Sequence, residues 1–313
     1  MVFKRLVVVV LTLVLLFGCA AGNEADPTAT AYATAETQGG QIETRPPPGV
    51  APQIPDNQPE EPAETSAATP DFSAISGLNG KAHGWGHGGP VDAQNRSVGA
   101  LQFQERYGNL DAHFIRPDSQ QIYLTFDQGY EYGFTPIILD TLRERGVVGT
   151  FFLTMHFVET HPELVQRMID EGHILANHST RHRNFPSIGL QEAMDDVMEL
   201  HNYVMENHGV EMHLFRFPEG SFSEQMLALM QNLGYSSVFW SMAYRDWERD
   251  NQPLTIDAVN RLVAGAHPGA IYLLHSVSRT NSEVLGEVID LIREQGFEFG
   301  RLDIPPPQNS PQG

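Results

Sequence analysis

The stretch Ile122-Tyr123-Leu124-Thr125-Phe126-Asp127-Gln128-Gly129 opens on an apolar run and stops on one acid, one neutral amide and a glycine. An apolar run of this length, bounded by a turn residue, reads as a buried strand. A strand that ends on a lone carboxylate beside a glycine looks like the rim of an active site. Further apolar runs follow at 147–153, 174–176, 237–240 and 270–274. Amphipathic stretches lie between and after them, at 135–145, 162–171, 190–207, 224–233, 256–266 and 282–295. Gly146, Gly172, Gly209, Gly234 and Gly296 follow several of these, where helix C-termini favour glycine. Strands alternating with helices imply a parallel sheet covered by helices. One domain of roughly 230 residues suits a barrel of βα units better than two small domains.

A barrel of this kind gathers its chemistry at the C-terminal ends of the strands. The polar residues there are Asp127-Gln128, Asn177-His178, Asp246-Trp247 and His275-Ser276, with Arg216 after the apolar pair Leu214-Phe215. Titratable groups recurring at strand ends point to an enzyme.

Composition narrows the partners. A formal net charge of −20 argues against nucleic acid, whose phosphates demand lysine and arginine. The single cysteine, Cys19, excludes a disulfide framework and a thiolate zinc site. Any metal must therefore be held by histidine and oxygen ligands.

Lys4 and Arg5 precede an apolar run from Leu6 to Phe17 that is too short to span roughly 30 Å of hydrocarbon. It reads as the core of a signal peptide, ending in Leu16-Phe17-Gly18-Cys19 before Ala20 and Ala21. This resembles a bacterial lipoprotein signal over residues 1–19, with Cys19 lipidated. Cleavage near Ala20 or Ala21 as an ordinary secretory signal is the other reading, and the sole cysteine at the cleavage site favours the first. Residues 20–75 are rich in Pro, Thr, Ala and Glu and bury too little apolar surface to order themselves, so a disordered tether is expected. The catalytic domain is then expected over 76–306, with 307–313 as a tail. The expected location is outside the cytoplasm, anchored by lipid to the cell membrane.

Taken singly, the motifs are ambiguous. In His178-Ser179-Thr180-Arg181-His182 two imidazoles lie four apart, which on a helical turn would put both on one face as ligands of one divalent metal. In a chain with 13 histidines, such a pair also arises by chance. Arg216-Phe217-Pro218-Glu219-Gly220 could be a solvated arginine beside a rigid turn. Asp246-Trp247 could be a loop acid beside a packing tryptophan, and His275 a structural histidine closing a buried strand.

Their order and content resemble one family. TFDxG, HSxxH, RxPxG, DW and LLH, in that order from Thr125 to His275, are similar to the polysaccharide deacetylases with a NodB-type domain. The resemblance covers nearly all of 82–304 and implies a distorted (β/α) barrel that removes acetyl groups from N-acetylated sugars with a divalent metal. TFDQGYEYGFTP, VFWSMAYRDW and HPGAIYLLHSVSRTN resemble more closely the δ-lactam-biosynthetic de-N-acetylases of the spore cortex. The upstream Trp85-Gly86 is similar to that subfamily too. Those enzymes act on N-acetylmuramic acid of peptidoglycan strands after the peptide has been removed.

The resemblance implies roles for particular residues. His178 and His182 bind a metal, Zn2+, together with Gln128. Asp127 is the general base, held ionised by Arg216, and His275 is the general acid, tuned by Asp246. A backbone N–H at Glu219 faces the oxyanion, while Tyr130 and Trp247 wall the acetyl and sugar pocket. Gln128 stands where the wider family has a ligating acid, so the metal is expected to be weakly held. Ala243 stands where an acid often opens the fourth motif. Two alternatives remain beside muramic acid de-N-acetylation: a deacetylase of N-acetylglucosamine in an extracellular glycan, and a non-catalytic glycan-binding lipoprotein.

Overall fold

A computed structural model describes residues 70–86 and 88–307. The expected signal peptide, Cys19, most of the tether and the tail from 308 lie outside the described residues. Among the described residues ten strands appear in chain order: β1 (His83–Gly84), β2 (Ala112–His113), β3 (Tyr123–Gln128), β4 (Thr150–Leu153), β5 (Ile174–Asn177), β6 (Leu214–Phe215), β7 (Ser221–Phe222), β8 (Ser236–Val238), β9 (Met242–Ala243) and β10 (Ile271–His275). The helices are α1 (Phe72–Ser76), α2 (Val98–Tyr107), α3 (Thr135–Arg145), α4 (Met155–Thr160), α5 (Pro162–Asp170), α6 (Leu190–His208), α7 (Glu224–Asn232), α8 (Thr255–Ala264) and α9 (Arg279–Glu294).

Eight strands form one parallel sheet in the order β2-β8-β6-β5-β4-β3-β10-β9, curled into the half-barrel of a distorted (β/α) barrel. The expected barrel of βα units is what the chain forms. β1 and β7 make a separate antiparallel ribbon. The expected C-terminal glycines hold positive φ, from 60° at Gly146 to 89° at Gly296, a conformation that costs glycine no Cβ clash.

Ordered structure begins earlier than composition indicates. α1 lies inside the stretch expected as tether, with Asp71 capping its N-terminus and Ile75 buried at 3 % exposure. One buried isoleucine and a capped turn suffice to dock a segment whose average composition is polar.

Side-chain alternation along the strands sorts the site from the core. Tyr123, Phe152, Ile174, Ala176, Leu214, Val238 and Ile271 form one cluster, closed by Leu302 and Ile304 of the C-terminal segment. Leu124, Phe126, Phe151, Leu153 and Phe215 belong instead to the large core shared with the helices. The first set is therefore the inner face of the curled sheet. Continuing that face by steps of two brings Asp127, His178, Arg216 and His275 inward. The β3–β10 register sets Asp127 directly beside His275.

Candidate active site

Arg216 lies at the centre of the inner face with no exposed surface, and every donor group is engaged. Nη1 donates to Asp127 Oδ1 at 2.8 Å, Nη2 to Thr125 Oγ1 at 2.8 Å and Phe239 O at 3.2 Å, and Nε to Val238 O at 3.1 Å. Its guanidinium also sits 3.9 Å from the centre of the Phe152 ring, a cation–π contact. A buried charge is tolerated only when so fully satisfied.

Asp127 is 8 % exposed. Burial alone would raise its pKa. The surrounding cationic groups outweigh that, Arg216 being the one that stays charged at neutral pH, and hold the carboxyl below its usual range. Its second oxygen lies 3.4 Å from His178 Nε2. His178 is itself buried, which pushes its pKa down to about 4, so the ring is neutral at pH 7. Its Nδ1 lies 2.8 Å from the Arg216 carbonyl oxygen and must donate to it. Nε2 therefore keeps its lone pair.

His178 and His182 are not on a helical turn. Ser179 and His182 take positive φ, 72° and 50°, in an irregular turn after β5. Asn177 Oδ1 accepts from Ser179 N at 2.8 Å, Ser179 Oγ from His182 N at 2.9 Å, and the buried Asp196 from Thr180 N at 2.8 Å. These side-chain contacts impose a turn that spacing alone does not disclose. The two rings nevertheless lie close together, their centroids 4.9 Å apart.

Gln128 is not brought to this pair. β-alternation turns it to the helix-facing side, in register with Leu153, and it does not line the cleft. It is wholly buried; Nε2 donates to Thr135 Oγ1 at 2.9 Å and Oε1 has no partner among the described residues. Two adjacent residues of one strand cannot both face inward, and Asp127 already does. The expected ligand set thus reduces to two imidazoles. Among the described residues no third histidine or acid joins them as a ligand group; the two neighbouring imidazoles, one with its lone pair fixed by the contact behind it, would supply two ligands of a divalent metal.

Opposite stands His275. Its Nδ1 lies 2.7 Å from Asp246 Oδ1, and its backbone N–H donates to Asp246 Oδ2 at 2.8 Å. Asp246 is wholly buried and also accepts from Asn281 Nδ2 at 2.6 Å. Burial disfavours the imidazolium, but the Asp246 charge and hydrogen bond, with Asp127 beyond, outweigh it and raise the His275 pKa above the ordinary value. Asp246 thereby holds Nε2 of His275 as the free end of the ring.

Sequence reasoning missed Asn281. It lies in the first turn of α9, donates to both Asp246 and the His275 carbonyl, and accepts from the Tyr244 hydroxyl. A polar residue one turn into a helix that follows His275 was the available signal.

The cleft has two lobes that meet at Asp127, His178, His182, Trp247 and His275. Tyr130, Thr154 and His156 line one lobe. The other, about 570 Å³, is walled by Trp85, Phe217, Trp240, Ala243 and Leu273, with Glu219 and Gly220 at its edge. Trp247 and Tyr130 line the cleft and are 51 % and 57 % exposed. Trp85 enters through the β1–β7 ribbon and donates from Nε1 to Trp240 O at 2.9 Å. Glu219, at φ 60°, begins a left-handed pair with Gly220. A Cβ on Gly220 would lie 2.5 Å from Trp85 O, so only glycine fits there. Ala243 is a cleft wall and supplies no acid.

The geometry juxtaposes an ionised buried carboxylate, two adjacent imidazoles and a third imidazole, its pKa raised by Asp246, across one cleft. That arrangement can remove a proton from water on one side and deliver one to a leaving group on the other. The polysaccharide deacetylase family profile matches residues 115–238. The chain is 41 % identical over 221 residues to the peptidoglycan-N-acetylmuramic acid deacetylase PdaA of Bacillus subtilis, covering 70 % of this chain and 84 % of that one. It is 36 % identical over 202 residues to a chitooligosaccharide deacetylase of Sinorhizobium fredii, covering 60 % and 91 %. The solved structure of B. subtilis PdaA, a family 4 carbohydrate esterase, superposes with a TM-score of 0.66 at 39 % identity, over 70 % of this chain and 94 % of that one. Sheet, cleft and sequence thus agree that this chain belongs to the polysaccharide deacetylase family and is a hydrolase of non-peptide carbon–nitrogen bonds.

Proposed function

We propose that the protein removes the acetyl group from N-acetylmuramic acid in peptidoglycan strands. The observation that carries the chemistry is the facing of the Asp127–Arg216 ion pair and the hydrogen-bonded Asp246–His275 pair across one cleft. The similarity to a muramic acid deacetylase over 84 % of its length supports the substrate.

His178 and His182 would hold a divalent metal, which when bound polarises the acetyl carbonyl and a water molecule. Asp127, ionised and aimed by Arg216, takes the proton of the attacking water. The backbone N–H of Glu219 receives the oxyanion. His275 delivers a proton from Nε2 to the sugar nitrogen as the carbon–nitrogen bond breaks. The products are acetate and a free amine. That amine lies on the sugar that carries the lactyl carboxyl, the pair that closes to muramic δ-lactam. Tyr130 and Trp247 flank the scissile group as exposed walls for the glycan. Lipid on Cys19 would keep the enzyme outside the cytoplasm, at the membrane beneath the wall.

The test is acetate release by purified protein, with added zinc, from peptide-free peptidoglycan strands and from N-acetylglucosamine polymers. Release from the first supports the proposal. Release only from the second moves the substrate to N-acetylglucosamine, and tight binding without acetate under any divalent metal makes the protein a non-catalytic glycan binder. Chelation should abolish acetate release, and zinc should restore it.

A further inference from the structure

Three segments meet behind His275, and one side chain joins them. Asp246 stands in the loop after β9, His275 ends β10, and Asn281 lies in the first turn of α9. Asn281 is buried, and its amide is fully engaged. Nδ2 donates to Asp246 Oδ2 at 2.6 Å and to the His275 carbonyl oxygen at 3.1 Å, while Oδ1 accepts from the Tyr244 hydroxyl. Chemistry fixes which end is which. A carboxylate and a carbonyl only accept, so the NH2 faces them and its two hydrogens meet two acceptors. Burial raises the pKa of Tyr244, so its hydroxyl keeps the proton that it donates.

Among the described residues, the other donors to the Asp246 carboxylate belong to His275 itself, through its ring and its backbone N–H. A carboxylate held only by the residue that it aims would drift with that residue. Asn281 ties both to a helix whose first turn is capped, Ser278 Oγ accepting from Asn281 N at 3.1 Å. Gln252 adds a second tie, donating from Nε2 to Asp246 O at 2.7 Å and accepting at Oε1 from Ser278 Oγ at 2.6 Å. We propose that Asn281 is a positioning residue for proton delivery: its amide, turned by the Tyr244 hydroxyl, fixes Asp246 and the end of β10 so that His275 Nε2 points at the leaving nitrogen. This rests on the reading of His275 as the general acid and names what aims it.

The experiment is a double-mutant cycle on acetate release from peptide-free peptidoglycan strands with added zinc. kcat and KM are measured for wild type, Asn281→Ala, Tyr244→Phe and His275→Gln, and for each of the first two changes combined with His275→Gln. His275→Gln should lower kcat by about 10²-fold or more. Asn281→Ala should lower kcat roughly tenfold with KM within about twofold, because binding is untouched and only the aim of the acid is lost. Tyr244→Phe, which removes one hydroxyl and keeps the ring, should lower kcat about threefold and carries the test if Asn281→Ala does not fold. In the His275→Gln background neither change should lower the residual rate further, since a residue acting through His275 has nothing left to aim. Equal losses with and without His275, or an effect on KM alone, overturn the positioning role and leave deacetylation standing. An unchanged kcat in His275→Gln overturns the acid assignment, and the proposal with it.

Discussion

Asp246 holds His275 at two points, Oδ1 against the ring Nδ1 at 2.7 Å and Oδ2 against the backbone N–H at 2.8 Å. One carboxylate therefore fixes the ring's direction, its tautomer and its charge. The rate should follow. Deacetylation needs Asp127 ionised and His275 protonated, so activity rises with pH through a carboxyl held below its usual range. It falls again through an imidazole raised above its own. Asp246→Asn removes the charge that raises His275. The alkaline limb of the kcat–pH profile should move to lower pH, and kcat should fall by about 10²-fold or more.

Arg216 is fully buried, and its removal strands Asp127. Arg216→Met should cost about 3–5 kcal/mol of stability, measured by urea denaturation at neutral pH. Asp127→Asn leaves the guanidinium an acceptor oxygen, so it should cost less stability while abolishing acetate release. Equal stability losses in the two variants would contradict this account.

The turn that carries Glu219 depends on Gly220. At φ 63°, with Trp85 O 2.5 Å from any added Cβ, Gly220→Ala combines left-handed strain with a backbone clash. A destabilisation of about 2 kcal/mol or more is expected, together with loss of the Trp85 contact, readable as a change in tryptophan fluorescence.

Two histidines away from the cleft, His113 and His173, are kept neutral by burial, each with its pKa pushed down to about 4. Between that value and the ordinary 6.5, the unfolded chain binds protons that the folded chain refuses. Stability should accordingly decline as pH falls through this window, by up to about 1.4 kcal/mol per pH unit for each group. His173→Gln should flatten the decline in a series of denaturation curves.

The metal should depend on the imidazoles and not on Gln128. His178→Ala should remove zinc binding measured by titration calorimetry. Gln128→Ala should weaken it by less than about tenfold, since that side chain faces Thr135. A loss in Gln128→Ala equal to that in His178→Ala would restore the amide as a ligand.

Much of this protein was legible in its sequence. Hydrophobic periodicity and glycine placement marked the alternation of strands and helices, because burial on one or two faces writes itself into composition locally. α3 and β6 appear with the bounds the sequence suggests. The strand ends named Asp127, His178, Arg216, Asp246 and His275, because a parallel barrel sends those ends to one rim. α4 and β9 were not legible, since neither Met155–Thr160 nor Met242–Ala243 stands out as an apolar run or an amphipathic repeat from its flanks.

Tertiary structure decided the rest. Which of the neighbours Asp127 and Gln128 meets the cleft depends on which face of β3 turns inward, and that is set by the curl of the sheet and its packed helices. The turn at His178–His182 depends on Asp196, far along the chain in α6. Asn281 acquires its role only when α9 returns to β10. Local sequence specifies periodicity and chemistry, whereas the face that a residue presents, and the partners it meets, are properties of long-range contact.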